Sequence, residues 1–522
     1  AAGEAEVAVV ATGIADASGP TLTALDDGSL LTLFVTEDVA RPAGRGFEIM
    51  ASRYDGLRWS LPARLTRDDM GDFNPVIAPA AGGAVAVWER FTVPPSNPDD
   101  LSVAELAGVE IAYSRFDARS GSWTAAALLT VNGSLDRGPL LAAAPDGRVM
   151  ALWANHPGNR LGGDAAAPDR LMSSILVDGR WSPPQELAAV PDLLAYDLAF
   201  DGQRALLVTS QLGDAAGERL SYRVWAADAW SPAQPLGIGD GPRAALGSRG
   251  QLWLSWTAGG RIWLADGRLD QPASALTVEG MAPGPVALTT DGAGNAVVVW
   301  QTTSELGGDL SYAVWEGGPR RWSAARPLVR DRAIFGGQSP VFAADGSLWV
   351  AAARNALPLT DRMATLEDGT KVSFTGVPTF GRTDLLLAHY RLKADLAVLP
   401  EDLRVGQAAG PGGPRPLAAT VRNLGDHLAE DLDLRFYAGD PRQGGLPIGA
   451  PLRIAELAAG ALADRSVEWR YPEAVAGEQV CVWVDPESLL PDVDRSNNIT
   501  CRRARFNSYL PFLLVVWDHR VV

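Results

Sequence analysis

"AAAPDGRVMALWANH", residues 142–156, joins the turn dipeptide Asp146-Gly147 to an apolar run that ends at Trp153 and passes into polar side chains. The run has the length of one strand, and an Asp-Gly pair just ahead of it predicts a two-residue hairpin turn with positive φ. The phrase recurs. Its seven copies are "DDGSLLTLFVTED", "AAGGAVAVWERF", "PDGRVMALWANH", "FDGQRALLVTSQ", "GSRGQLWLSWTA", "TDGAGNAVVVWQTT" and "AADGSLWVAAARN", anchored at Phe34, Trp88, Trp153, Val208, Trp256, Trp300 and Ala352. The steps between anchors run from 44 to 65 residues. Five copies are followed by an offset Trp-Ser or Trp-Thr strand, as in "DGRWSPPQEL" and "ADAWSPAQPL". Four short strands per repeat, with no helical period between them, predict the blades of a β-propeller.

The seventh copy, ending near "LLLAHYRLK", lacks its Trp-Ser strand, whereas the opening stretch "EAEVAVVATG" is a strand without a blade. Pairing the two closes the ring and removes two sheet edges together. The chain is therefore read as all-β. A seven-bladed β-propeller spans residues 1–392, closed by the N-terminal strand; an immunoglobulin-like β-sandwich spans 393–505, and an apolar C-terminal strand spans 506–522.

The bulk composition narrows the function classes. The chain has 522 residues, 47% hydrophobic and 20% charged, with a formal net charge of −17. That acidity argues against nucleic acid, whose binding needs clustered cations. No run reaches the roughly 20 apolar residues that cross a bilayer, so the chain is read as not membrane-spanning. Small residues at its start, "AAGEAE", are what removal of a secretory signal leaves, and the expected location is secreted, at a bacterial cell surface.

Length variation gathers after the second strand of each repeat, in "ERFTVPPSNPDDLSVAELAGVE", "NHPGNRLGGDAAAPDR" and "RNALPLTDRMATLEDGTKVSFTGVPTFGRT". Insertions on one rim mark the binding face of a repeat protein. At the base of these loops stand Glu37, Glu89, Arg90, Asn155, His156, Gln211, Gln301, Arg354 and Asn355, the candidate ligand contacts of the propeller mouth. Trp88 and Trp153 are candidates to stack on a sugar or peptide. The alternative is that these polar residues are ordinary strand ends and the tryptophans are core.

"FDARSGSWT", residues 116–124, resembles the Asp-box turn of sialidase-like propellers, where that turn is structural. The sialidase arginine motif is missing, since "FEIMASRYDG" carries Glu48 at the arginine position. His156, His389, His427 and His519 are scattered, and neither a nucleophile elbow nor a metal-ligand spacing occurs. The reading is a non-catalytic protein of adhesion, ligand binding or extracellular assembly, with a protein or glycan on the loop-rich face. The alternative is a sialidase-like glycoside hydrolase or lyase, which needs two carboxylates in the mouth.

Beyond Lys393, "ATVRNLGD", "RFYAGDP", "VDP" and the D-x-D-x-x-N-N ending at Asn498 resemble the CARDB module, an adhesion-related domain of bacterial and archaeal surface proteins. The resemblance implies a spacer or adhesive role and no catalytic residues. Asp485, Asp492 and Asp494 are candidates for a calcium ion, against an acidic turn capped by Asn497 and Asn498. No other cofactor is expected. Cys481 and Cys501, 20 residues apart on neighbouring predicted strands, are expected to form a disulfide, against two buried thiols. In the tail, Tyr509, Leu510, Phe512, Leu513, Leu514, Val515, Val516 and Trp517 form a strand that either packs on its own chain or is donated to another copy, giving self-association into a filament or surface layer.

Overall fold

Short alternating apolar runs, punctuated by glycine, make strands the dominant regular structure of the described residues, and the computed structural model shows how the strands assemble. It describes residues 5–15, 19–42, 44–97, 100–214, 217–226, 229–247, 251–266, 273–277, 286–291, 296–302, 308–316, 321–365, 371–378, 381–407, 413–470, 479–490 and 492–503. The tail candidates, Tyr509 to Trp517, lie outside the described residues. The chain divides into two compact units that meet in sequence at Leu392 and Lys393.

The first unit is a seven-bladed β-propeller. The innermost strands of the first five blades are Thr21–Ala24, Asp72–Ala80, Leu135–Ala143, Leu193–Phe200 and Asp240–Leu246. Val286–Thr290 and the second half of Arg326–Phe342 supply the sixth and seventh. Each inner strand packs on the next, and the last packs on the first, so the seven form a closed ring. Apolar clusters fill the interfaces; Leu33 and Trp88 belong to the one between blades 1 and 2, and Phe34 and Trp349 to the one between blades 7 and 1. The Arg326–Phe342 strand serves two blades, pairing first with Gly308–Glu316 as the outer strand of blade 6 and then with Ser347–Ala356 as the inner strand of blade 7.

Glu6–Thr12 pairs antiparallel with Thr383–Arg391, from Glu6 opposite His389 to Thr12 opposite Asp384. The first described strand is thus the outer strand of the last blade. His389 stacks on Trp349 at this seam, with ring centroids 4.2 Å apart.

Three Asp-Gly turns, in blades 1, 3 and 7, are one residue longer than expected, whereas at Asp201-Gly202 in blade 4 the Asp201 N–H bonds the Arg204 carbonyl (3.0 Å) around a two-residue loop. In blade 3 the Ala144 N–H bonds the Arg148 carbonyl (2.8 Å) and the Gly147 N–H bonds the Ala144 carbonyl (3.0 Å), leaving three residues in the loop. Only Gly147 has positive φ, 84°, while the Asp146 carboxylate accepts the Arg148 N–H (3.1 Å). Blades 1 and 7 repeat this at Gly28 and Gly346. A two-residue turn of type I′ needs positive φ at both positions, and Asp-Gly here instead makes a turn with a single left-handed glycine.

The Trp-Ser motif has one physical cause in five blades. After the tryptophan the outer strand leaves the ladder, and the Ser60, Thr124, Ser182, Ser231 or Ser323 hydroxyl accepts the third-strand N–H that the backbone no longer reaches, at 3.0 Å each time. The preceding tryptophan packs on the previous blade, as Trp181 does edge-on to Tyr113 (6.0 Å).

The second unit is a two-sheet sandwich. One sheet holds Leu396–Ala397, Leu403–Val405, Arg415–Asn423 and Leu462–Trp469; the other orders Leu446–Leu457, Ala429–Ala438, Gln479–Val484 and Ile499–Arg503. Leu417, Val421, Leu434, Phe436, Trp469 and Val482 lie in the core between them. Cys481 and Cys501 face each other across adjacent strands, with Cα atoms 4.0 Å apart, and are bonded as a disulfide.

Candidate functional site

Most of the polar strand ends in the mouth are tied into the fold. Arg90 grips the buried Asp72 through Nε (2.7 Å) and Nη2 (3.0 Å), and Asp72 also accepts the Trp88 indole N–H (2.6 Å). Burial raises the Asp72 carboxyl against the pull of that guanidinium. One blade on, the Asp136 carboxylate accepts the Trp153 indole (3.0 Å) and the Asn155 amide (2.8 Å), and burial raises it to about 6. Trp88 and Trp153 are therefore blade-to-blade core, 0% and 1% exposed, and offer no face for the stacking expected of them.

The other candidates are similarly engaged. His156 is fully buried and accepts the Gly158 N–H at Nδ1 (3.0 Å). Gln211 donates to the Pro191 carbonyl (2.9 Å), and Gln301 accepts the Phe335 N–H (3.1 Å). Arg354 pairs with Asp331, and Asn355 donates to Thr383 (2.8 Å). Glu37 is exposed at its strand end.

Glu89 differs. It lines a cavity of about 360 Å³ whose walls are Phe73, Asn74, Phe91, Leu101, Leu106, Val109, Leu135, Arg137, Gly138 and Leu161. The polar floor comes from two inner strands, each interrupted by a register shift: blade 2 at Phe73–Val76 and blade 3 at Arg137–Leu140. Those bulges bring one backbone N–H, from Gly138, and one side-chain amide, from Asn74, to the Glu89 carboxylate. Its Oε1 accepts the Gly138 N–H (2.6 Å) and the Asn74 amide (3.0 Å). Asn74 holds a left-handed φ of 48°. Gly138 needs both its positive φ of 62° and its missing side chain, since a Cβ there would lie 2.6 Å from the Tyr196 hydroxyl. That hydroxyl donates to the Gly138 carbonyl.

Behind the floor, Arg137 donates from Nη2 to the buried Asp169 (2.9 Å). Burial raises the Glu89 carboxyl, opposed by the two neutral donors and by the Arg137 charge. The upper wall is the insertion after the second strand of blade 2. There the short helix Val103–Leu106 is started by a capping box in which Ser102 and Glu105 bond each other's backbone. Its Leu106 packs with Phe91, Val109 and Leu135. A second cavity, about 440 Å³, is lined in blade 7 by Arg354, Ala356, Leu357, Pro358, Gly381, Arg382 and Asp384.

Of the nine sequence candidates, Arg354 lines this second cavity and Glu89 the first, where it is joined to residues that sequence reading passed over. Asn74 and Arg137 lie on inner strands of two different blades, and nothing in their local sequence marks them. Among the described residues no group of three or more His, Cys, Asp or Glu is arranged to hold a metal ion.

In the sandwich the motif residues shape turns. Asn423, fully buried, donates to the carbonyls of His427 (2.7 Å) and Leu457 (2.9 Å) and accepts the Gly425 N–H (3.1 Å). Asp402 holds Arg422 through two bonds of 2.7 and 2.6 Å. The three calcium candidates accept protein donors: Asp485 from Leu489 and Leu490, Asp492 from Asn498, and Asp494 from Ser496. Residues 393–502 match the CARDB family model. The CARDB module is thus the second unit, and its signature residues are the ones that fix its turns.

No curated protein sequence matches the chain significantly. Among solved structures, the chain is similar to an α-L-arabinanase of Penicillium chrysogenum complexed with arabinobiose, at 14% identity and TM-score 0.40, covering 59% of this chain and 97% of that one. It is also similar to the NanB sialidase of Streptococcus pneumoniae, at 10% identity and TM-score 0.41, over 74% and 71% of the two chains. A third likeness is to the polysaccharide lyase Uly1, at 8% identity and TM-score 0.45, over 72% and 90%. Identities this low carry none of their chemistry to this chain. No helix among the described residues is long and apolar enough to cross a membrane.

Proposed function

We propose that the chain is a non-catalytic, secreted surface protein whose propeller holds a ligand in the Glu89 cavity while the CARDB module serves adhesion or spacing. The observation that carries this reading is the composition of the cavity: apolar walls, one amide, one guanidinium and a single carboxylate. Its volume falls in the range of small-molecule and side-chain pockets. Glycoside hydrolysis needs two carboxylates flanking the bond. Among the described propeller residues the other carboxylates that burial raises, Asp72, Asp136 and Asp197, accept bonds from Arg90, Asn155 and the Ala244 N–H, which hold the fold together.

The test is binding of the full chain to arrays of bacterial surface glycans and peptides, with Leu106→Arg as the variant that fills the cavity. Specific binding lost in Leu106→Arg, with every bound ligand recovered intact by mass spectrometry, is the expected result. The raised Glu89 carboxyl is the one feature favouring a hydrolase, because a general acid needs it. Cleavage of a captured ligand that disappears in Glu89→Gln would overturn the binding reading. Assembly through residues 506–522 is part of the same proposal: size-exclusion chromatography of the full chain should show oligomers that removal of this segment dissolves, and equal monomers would reject it.

A further inference from the structure

The charges around the cavity floor do not balance, and this points to the class of ligand. Two carboxylates, Glu89 and Asp169, share one guanidinium, Arg137. Arg137 gives its Nη2 to Asp169, at 2.9 Å, while its buried Nε has no hydrogen-bond partner among the described residues, and Asp169 also accepts the Gly163 N–H (3.1 Å). Among the described residues Glu89 accepts hydrogen bonds from the neutral Asn74 and Gly138 groups alone, and no cation lies within 4.0 Å of it. A partly buried carboxylate is compensated only in part by neutral donors. Tyr196, whose hydroxyl closes the floor, adds no positive charge.

Apart from Asn74, Arg137 and Gly138, the residues that line the cavity with Glu89 are hydrocarbon and ring. Phe73 and Phe91 meet edge to face at 5.6 Å, and Leu101, Leu106 and Leu161 complete the wall. A carboxylate at the base of an aromatic and aliphatic cavity attracts an ammonium group through charge and through the ring faces, while the attached chain takes the apolar space.

We infer that the cavity takes an organic cation, a primary or quaternary ammonium carrying a short apolar chain, with the ammonium on Glu89 and the chain between Phe91 and Leu106. This rests on the proposal that the cavity is a binding site. A neutral polyhydroxyl ligand is the competing class, and the probes are chosen to separate the two.

Titration calorimetry of the full chain with pentylamine, choline and the uncharged 1-pentanol provides the test. Pentylamine binding at least tenfold more tightly than 1-pentanol is the expected result. In Glu89→Gln that preference should vanish while the weak affinity for 1-pentanol remains, and Leu106→Ala should weaken both probes together. Equal affinity of the wild-type chain for amine and alcohol would overturn the ammonium assignment without touching the binding-site proposal, and it needs no variant to fold. Absence of binding by all three probes would overturn the assignment as well. Leu106→Arg in the array experiment then decides separately whether the cavity binds anything.

Discussion

Arg90→Met isolates what the blade 2 clamp contributes. The methionine keeps most of the arginine stem but withdraws both hydrogen bonds to Asp72, which is 0% exposed. Breaking a buried pair by removing one partner costs about 3–5 kcal/mol. Asp72 has an escape, however, in taking up a proton. For a carboxyl whose unfolded pKa is near 4, that costs about 1.4 kcal/mol per pH unit above it, so roughly 4 kcal/mol at pH 7 and well under 1 at pH 4.5. Burial already raises Asp72 in the wild-type fold, and losing Arg90 raises it further. A raised carboxyl favours the fold below its unfolded pKa, and that contribution is lost as pH rises through the folded value. The variant should therefore be destabilised by about 3–4 kcal/mol at pH 7.5 and nearly rescued at pH 4.5. Urea unfolding followed by tryptophan fluorescence at both pH values, with Asp72→Asn/Arg90→Met as the uncharged control, measures this. A pH-independent loss, or one below about 1 kcal/mol at pH 7.5, refutes the reasoning. The second contact of Arg90, to the more exposed Asp68 at 2.9 Å, contributes little at either pH.

Asp136→Asn should act in the opposite sense: with the wild-type carboxyl raised to about 6, the amide should stabilise the fold by roughly 1–2 kcal/mol at pH 8 and lose that advantage at pH 4.5, read from melting curves. Ser182→Ala removes the acceptor that the Ile175 N–H meets at 3.0 Å and should cost about 1 kcal/mol, whereas Ser182→Thr, the residue type that blade 2 uses, should restore it. Reduction of the Cys481–Cys501 bond should lower the stability of the sandwich by about 3 kcal/mol and leave the propeller transition in place, a separation that calorimetry with and without reductant resolves.

The fold was legible because its signal is repeated. Each tryptophan anchor, Asp-Gly turn and Trp-Ser strand is weak alone, and seven copies at similar spacing admit few architectures. The turn length was misread at Asp146-Gly147 because the dipeptide suits both a two-residue loop and a three-residue loop with one left-handed glycine, and the choice lies in the backbone bonds of Ala144. The insertions did indicate where a cavity forms, since Leu101, Leu106 and Leu161 all come from them. Its floor was hidden for a different reason. Asn74 and Arg137 lie 63 residues apart and reach the same carboxylate environment through bulges that no residue pattern announces. Among the polar strand ends, Arg90 and Asn155 look like Glu89 in sequence, and only the buried aspartates beside them distinguish a clamp from an open site.

The seam between Glu6–Thr12 and Thr383–Arg391 sets the order in which a ribosome delivers the molecule. The outer strand of the last blade leaves the exit tunnel ahead of the blades it helps to close, and its partner follows about 380 residues later, roughly 20–80 s at ordinary rates of synthesis. Throughout that interval six blades collapse beside a ribbon that has no neighbour, and its valines, Val7 and Val9, must be kept from pairing with other nascent chains. The ring can close only once Thr383–Arg391 has emerged and offers its edge to the waiting strand.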